Sequence, residues 1–343
     1  MKPKLEVDLG GGLTLAHPVV AASGCLGTGR DVAGLVDLHR LAAVVTRSLT
    51  PAPSKGAPTT RAAETPSGFL SWVGLQNPGV EEFVEVDLPR LSRFGTPVIA
   101  SIAGSTLDDY VRMASRLHVQ PGIVGLEVYL GTPDHERRDD PFYAHLERIR
   151  EVVGSVSRLS RAPVFVKLPA LLPDLVATAR ACVREGAHGL TLIDAVPGLA
   201  VDAGRLRSKL AAPVGGLSGP AIKPIALAAA YRVARALPEV PSMGVGGIAT
   251  GEDAVEFLLA GASAVQVGTA ILVNPSAPVE IARGIQDYLK DKGIASPADL
   301  RGRLRVRGDD EPAGRGDGGS SPREGAFGAP LAHPVTEPGE SRA

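Results

Sequence analysis

Short apolar runs rich in β-branched residues recur along this chain, and amphipathic stretches separate several of them. Eight runs are candidate strands: residues 19–22, 43–47, 98–102, 125–129, 164–168, 190–193, 242–245 and 264–267. Helical apolar spacing marks residues 107–117, 141–159, 175–185, 222–236 and 251–259. Strands that are buried on both faces and alternate with helices favour a closed parallel barrel over an open sheet. The sequence therefore predicts an α/β fold, a single (β/α)8 TIM barrel.

The barrel is expected to carry two long insertions and a tail. The insertions are residues 49–97, after the second strand, and 195–241, after the sixth, where such segments build active-site walls. Beyond about residue 305 the chain is rich in Arg, Gly, Ser and Pro, too poor in apolar groups to fold. We predict a barrel domain over residues 1–304 and a disordered tail over 305–343. Glycines 10–12 favour a small hairpin beneath the barrel.

Composition limits the kind of partner. The formal net charge of -1, without a basic tract, argues against nucleic acid or an acidic membrane surface. Cys25 and Cys182 are too few for a disulfide framework, and their spacing does not suggest a metal site. No apolar run approaches the roughly 18 residues that span a bilayer. We expect a soluble cytoplasmic protein that acts on a small molecule and binds no metal.

Two glycine-bearing loops follow the last two predicted strands. Gly246 and Gly247 come directly after the seventh strand, and Gly268 and Thr269 come directly after the eighth. Backbone N–H groups that no Cβ shields bind phosphate well, and this position in (β/α)8 barrels often holds a phosphate. A single Gly-Gly pair would be explained equally well as a turn. Two matched loops, one helix apart, favour a phosphate site.

Several blocks of sequence point to one family. They are ASGC at 22–25, ETPSG at 64–68, GLQNPG at 74–79, VKL at 166–168 and GGLSGPAIKP at 215–224. Together with the two glycine loops, and in this order over about residues 5–288, they resemble the dihydroorotate dehydrogenase family, which are flavoproteins built on a (β/α)8 barrel. The resemblance is strongest to the class 1 branch, particularly its NAD-linked type.

The resemblance implies an FMN site. The residues expected to bind FMN are Ala22, Ser23, Gly24, Arg47, Ser48, Lys167, Ile193, Gly219, Gly246, Gly247, Gly268 and Thr269. The glycine loops would hold the phosphate, and Lys167 would face the polar edge of the ring. A cation at that edge stabilises the negative charge that develops when a flavin accepts hydride. The alternative for Lys167 is an ordinary salt bridge at the rim of the barrel.

The catalytic loop departs from the family pattern. Family members carry roughly Asn-x-Ser-Cys-Pro-Asn after the fourth strand, with the Cys as base, and this chain has residues 129–134, YLGTPD. Thr132 therefore stands at the position of the base. An alcohol is a much weaker acid than a thiol, so Thr132 needs a relay or a bound water to act as base. The alternative is a hydroxyl that packs or caps. Cys25 is expected to be structural.

Further departures lie around the same pocket. The residues expected to bind substrate are Asn77, Arg47, Tyr129, Asp134, Asp194 and Ala195. Arg47 replaces a Lys, and Asp194 replaces an Asn. An ionised Asp only accepts hydrogen bonds, and its charge weakens binding of the orotate carboxylate. Alternatively Asp134 and Asp194 cap turns, or pair with Arg47 or with the nearby Arg side chains at 137 and 138.

The leading hypothesis is an FMN-dependent oxidoreductase that oxidises dihydroorotate to orotate in pyrimidine biosynthesis, or acts on a related CH–CH substrate. The alternative is an FMN-binding paralogue that has lost dihydroorotate turnover and serves another reductase or binding role, since the changes gather on the substrate side. A tRNA uridine reductase is disfavoured because no basic surface is evident. The resemblance also implies a homodimer and an electron-transfer subunit with FAD and an iron–sulfur cluster.

Overall fold

The structure is a computed structural model that describes residues 3–29, 34–130 and 144–305. Eight parallel strands form a closed barrel, and their order around it follows the chain. The strands are β1 Val19–Ala21, β2 Val44–Val45, β3 Val98–Ile102, β4 Ile123–Tyr129, β5 Val164–Leu168, β6 Gly189–Leu192, β7 Ser242–Val245 and β8 Ala264–Val267. Parallel pairing of β8 with β1 closes the barrel. The predicted TIM barrel is confirmed.

Helices surround the barrel. They are α1 over residues 80–92, which includes a π-helical stretch at Phe83–Asp87, α2 Leu107–Leu117, α3 Leu146–Leu159, α4 Leu175–Arg184, α5 Lys223–Ala236, α6 Gly251–Leu259, α7 Thr269–Val273 and α8 Ala277–Asp291, with short 3-10 helices at Leu38–Arg40 and Pro220–Ile222. Capping boxes define the starts of α2 and α6, where Thr106 pairs with Asp109 and Thr250 with Asp253. Both helices have the predicted bounds.

An N-terminal hairpin closes the lower end of the barrel. Strands Val7–Asp8 and Thr14–Leu15 pair antiparallel around a turn at glycines 10, 11 and 12, all with positive φ. The apolar side chains of the hairpin pack in one cluster with Phe165 and Met243. The predicted hairpin is confirmed, and the barrel interior is filled from below.

The two insertions form one antiparallel sheet. Its strand order is Val196–Gly198, Gly215–Ser218, Gly68–Ser71 and Ala62–Thr65, so that each insertion contributes two strands. A separate ribbon pairs Val201–Asp202 with Arg207–Ser208. The sequence predicted two insertions that build active-site walls, and the pairing of Gly215–Ser218 with Gly68–Ser71 joins them into a single wall.

The compact unit that contains the barrel ends at Leu304. The predicted disorder of residues 305–343 falls, apart from Arg305, outside the described residues and stays a prediction. Within the described ranges, no helix is long and apolar enough to cross a bilayer.

His17 makes the stability of the barrel depend on pH. Its Nδ1 accepts a hydrogen bond from the Val19 N–H (3.2 Å), so its Nε2–H faces the Arg40 carbonyl (3.0 Å) and the ring is neutral. Burial lowers the pKa of His17, although the bond to Arg40 opposes this. The unfolded chain therefore binds a proton at His17 more readily than the folded chain. The stability that neutral His17 contributes is fully present above about pH 6.5, and it is lost as the pH falls from there through the lower folded-state pKa.

Urea unfolding followed from pH 7.5 to pH 5 will show this loss in the wild-type protein. His17→Asn, which cannot take up a proton, should lose much of the dependence below about pH 6.5. An identical pH dependence in both proteins would assign the acid sensitivity to other groups.

Candidate active site

A cavity of about 990 Å³ opens at the carboxyl ends of the barrel strands. Parallel strands bring all their carboxyl ends to one rim, so loops that are distant in sequence meet there. The cavity is lined by all twelve residues of the predicted cofactor set: Ala22, Ser23, Gly24, Arg47, Ser48, Lys167, Ile193, Gly219, Gly246, Gly247, Gly268 and Thr269. The structure thus brings the set together, while the role of each residue toward a ligand stays a prediction.

The loop after β7 is packed so tightly at Gly246 and Gly247 that it excludes side chains there. Gly246 and Gly247 have φ of 129° and 75°, which favour glycine. A Cβ on Gly247 would lie 2.7 Å from Lys223 Cβ and 3.0 Å from the Gly219 carbonyl oxygen. Within the described part of the chain, the N–H groups of Gly246, Gly247 and Gly268 have no hydrogen-bond acceptor. The rim therefore presents backbone donors suited to an anion.

Hydroxyl groups connect the last loop to the wall sheet. Thr269 Oγ1 donates to Ser218 Oγ (2.8 Å), and Ser218 Oγ donates to the Phe69 carbonyl oxygen (3.2 Å). Phe69 and Ser218 belong to the two central strands of that sheet. This chain of bonds holds the wall against the glycine loop that follows β8.

Lys167, near the end of β5, is the buried cation of the cavity. Its side chain is 8% exposed, and its Nζ lies 3.2 Å from Asp194 Oδ1. Burial works to lower the pKa of Lys167, but the carboxylates of Asp194 and Glu127 outweigh it and the pKa is raised. Lys167 therefore stays protonated at neutral pH.

In the part of the chain that the structure describes, Asp194 does not form the ion pair with Arg47 that the sequence left open as an alternative. Asp194 makes its ion pair with Lys167 among the described residues, and not with Arg47. Arg47 Nη1 instead donates to the Gln76 carbonyl oxygen (2.8 Å) in the loop before α1. The Asp194 carboxylate is held beside the buried cation because both side chains follow neighbouring strands, β5 and β6.

A buried polar cluster below Lys167 was not identified from the sequence. Glu127 Oε2 accepts hydrogen bonds from Thr191 Oγ1 (2.9 Å) and Gln266 Nε2 (2.8 Å), and all three residues are fully buried. The only signal in the sequence is a charged or polar residue inside an apolar run that should be buried on both faces. In a barrel, such a residue faces either the interior or the helices, and periodicity alone does not decide which.

Cys25 has the environment of a structural cysteine. Burial raises the pKa of its thiol to about 11, although Lys167 and Arg47 act in the opposite direction. The thiolate, which is the nucleophilic form, is therefore scarce at neutral pH. This agrees with the structural role expected for Cys25.

The residues expected to bind substrate or to act as base differ in where they lie: some line the cavity, some are outside the described residues, and Asn77 lies in a loop away from the cavity. Tyr129, Asp194 and Ala195 line the cavity, as Arg47 does. Thr132 and Asp134, with the neighbouring Arg side chains at 137 and 138, lie outside the described residues.

Asn77 does not line the cavity. Its Oδ1 accepts from the N–H groups of Thr50 (3.2 Å) and Gly79 (2.8 Å), and its Nδ2 donates to Thr50 Oγ1 (2.8 Å) and the Leu75 carbonyl (2.7 Å). Every donor and acceptor of the amide is used. In this arrangement Asn77 stabilises the loop, and its predicted contact with substrate would require those bonds to break.

The sequence model of one family, described as dihydroorotate dehydrogenase, matches residues 5–289. The chain belongs to the dihydroorotate dehydrogenase family. Two relatives are each named dihydroorotate dehydrogenase B (NAD(+)), catalytic subunit. The protein from Pelobacter propionicus is 44% identical over 304 residues, which cover 89% of this chain and 99% of the relative. The protein from Geotalea daltonii is 43% identical over 305 residues, with the same coverage.

A solved dihydroorotate dehydrogenase structure agrees with the fold. The crystal structure of DHODH in complex with ferulenol from Eimeria tenella superposes with a TM-score of 0.73 at 20% identity, and the match covers 88% of each chain. At this identity the likeness shows the barrel alone. The resemblance inferred from the sequence blocks is confirmed at the level of the dihydroorotate dehydrogenase family.

In this member of the dihydroorotate dehydrogenase family, we expect Gly247→Ala to destabilise the glycine loop. The positive φ costs about 1–2 kcal/mol for a residue with a Cβ, and the contact with Lys223 adds about 1–3 kcal/mol of overpacking. Gly12→Ala is the matched control, because Gly12 has a φ of 82° but nothing within 4 Å of its Cβ position. Urea unfolding measures the free energy of unfolding of both variants. Equal losses in the two would show that the loop accommodates a methyl group at residue 247 without strain from packing.

Proposed function

We propose that this protein is an FMN-dependent dihydroorotate dehydrogenase that oxidises dihydroorotate to orotate in pyrimidine biosynthesis. The observation that carries the proposal is one cavity lined both by a buried, protonated lysine and by glycine loops with unused backbone donors. Membership of the dihydroorotate dehydrogenase family supports the reaction, and the relatives named above are dehydrogenase catalytic subunits.

The residues of the cavity fit FMN. The N–H groups of Gly246, Gly247 and Gly268 would hold the phosphate, because no described acceptor uses them and the loop at Gly246 and Gly247 has no room for a side chain. Gly24 has a positive φ and open space at its Cβ position, so a flat ring can approach the backbone there. When bound, FMN supplies the acceptor for hydride. A cavity of about 990 Å³ accommodates a cofactor and a small acid together.

Side chains of the protein would bind the substrate, stabilise charge, exclude water and remove the proton. The charge of Lys167 would face the polar edge of the ring, where negative charge develops. Arg47, oriented by the Gln76 carbonyl, would receive the carboxylate of the substrate. Phe69 and Trp72 line the cavity from the wall side and would exclude water. Thr132, or a water that it holds, would remove the proton next to the C–H bond that is broken.

The electron acceptor is proposed from the relatives, which are named as NAD(+)-linked catalytic subunits. We infer that a separate subunit carrying FAD and an iron–sulfur cluster takes electrons from this chain, that the chain forms a homodimer, and that it works in the cytoplasm. Leu272 and Val273 support a docking partner, because they are 56% and 85% exposed beside the cavity. Apolar side chains this exposed at the edge of a site are typical of an interface.

A second function is favoured by one observation. The Asp194 carboxylate offsets the charge of Lys167 inside the pocket, and Asn77 is engaged in its loop. An anionic substrate such as dihydroorotate is therefore received less well than in a pocket with neutral amides. An FMN-binding paralogue that has lost dihydroorotate turnover would have this arrangement.

Anaerobic visible spectra of the FMN-loaded protein distinguish the two functions. We expect dihydroorotate to bleach the flavin bands, and Thr132→Cys to bleach them faster, because a thiol is the stronger acid and serves as base without help. Bound flavin that dihydroorotate leaves unbleached would favour the paralogue. Failure to bind FMN at all would contradict the proposed cofactor site.

Orotate binding tests the charge at Asp194. Asp194→Asn removes a negative charge from the pocket and releases Lys167 from its ion pair, so orotate should bind about tenfold more tightly. Asp108→Asn, the same change at an exposed position of α2, is the control. Isothermal titration of the FMN-loaded proteins measures both affinities, and an unchanged affinity in Asp194→Asn would place the orotate carboxylate away from this pair.

A further inference from the structure

A carboxylate lies inside the barrel where no solvent reaches it. Glu127 is 0% exposed, and its Oε2 accepts from Thr191 Oγ1 and Gln266 Nε2. Among the residues that the structure describes, its Oε1 has no hydrogen-bond partner, and Gln266 Oε1 has none either. A buried carboxylate left half satisfied is costly, so its position calls for a compensating interaction.

The strand register brings Lys167 close to the Glu127 cluster. Thr191 pairs with Lys167 in the register of β5 and β6, and Tyr129 pairs with Lys167 in the register of β4 and β5. Glu127 is two residues before Tyr129, on the same face of β4, so its side chain lies one layer deeper in the barrel than Lys167. Asp194 meets the ammonium group from the cavity side.

We propose that Glu127 is a positioning residue that acts as a second, internal counterion of Lys167 and sets the charge that the cavity presents to its cofactor. The cation then lies between two carboxylates, Asp194 on the cavity side and Glu127 within the barrel. The set of three carries a net charge of -1. This inference rests on the proposed FMN site for its effect on the cofactor, but not for the pairing itself.

The hydrogen bonds favour an ionised Glu127. Two donors converge on Oε2, so a proton on that atom would compete with both. Oε1 has neither a donor nor an acceptor among the described residues, so only the bonds to Oε2 distinguish the two protonation states. The electrostatic pull of Glu127 also contributes to the raised pKa of Lys167. Ionised Glu127 and protonated Lys167 thus stabilise each other across the barrel interior.

Glu127→Gln tests the proposal with little change of shape. The variant carbonyl can accept the bonds that Thr191 and Gln266 now donate to Glu127 Oε2. The variant should therefore fold, while the negative charge is lost. Glu85→Gln, the same change at an exposed position of α1, is the matched control.

Two measurements report the loss of the Glu127 charge: the titration of Lys167 and the midpoint potential of the flavin. In the flavin-free protein, the Lys167 ammonium, followed by nitrogen-15 NMR during a pH titration, should lose its proton at lower pH in Glu127→Gln than in the wild type. In the FMN-loaded protein, the midpoint potential should shift to more positive values, with about tenfold more reduced flavin at a fixed potential. Both quantities should be unchanged in Glu85→Gln.

The outcomes separate this inference from the proposed function. A folded Glu127→Gln with wild-type Lys167 titration and potential would overturn the counterion role. If neither the wild type nor any variant binds FMN, the proposed cofactor site is wrong. The Lys167 titration in the flavin-free protein then still tests whether Glu127 is its counterion. If Glu127→Gln does not fold, infrared spectra of the wild-type protein decide, because a buried neutral carboxyl at pH 7 would contradict the ionised state.

Discussion

Parallel pairing of β8 with β1 is the constraint on which the site depends. It closes the sheet, and a closed parallel barrel has all its carboxyl ends at one rim. Loops that follow β1 and β8 are more than two hundred residues apart in sequence and still line one cavity. The N-terminal hairpin fills the opposite end, so the cavity lies at the rim where the loops converge.

Closure also forces polar groups into the interior. Side chains that alternate along a barrel strand face either the helices or the centre, and at the centre Glu127, Thr191 and Gln266 meet, fully buried. Burying a charge is tolerated only when it is paired. The pair of Lys167 with Asp194 and the cluster around Glu127 are therefore parts of one electrostatic unit, which links the interior of the barrel to the surface of its cavity.

The elements with strong local signals could be predicted. Strands β3, β5, β7 and β8 and helices α2 and α6 have the predicted bounds, because apolar period and Thr–Asp capping boxes are local properties. The wall sheet could not be predicted, since Gly68–Ser71 pairs with Gly215–Ser218 across about 150 residues. Asn77 could not be assigned either. Whether its amide faces a ligand or its own loop depends on where Thr50 and Gly79 come to lie.

The sequence by itself determined the barrel, the family and the residues that gather around one cavity, because burial periodicity and glycine placement act within short stretches of chain. Only the tertiary structure decided how charges are paired. Asp194 meets Lys167 and not Arg47, and Glu127 lies in the interior, because strand register sets which side chains are neighbours. Electrostatic pairing depends on distances of a few ångströms between residues that are far apart in sequence, and those distances exist only after the barrel has closed.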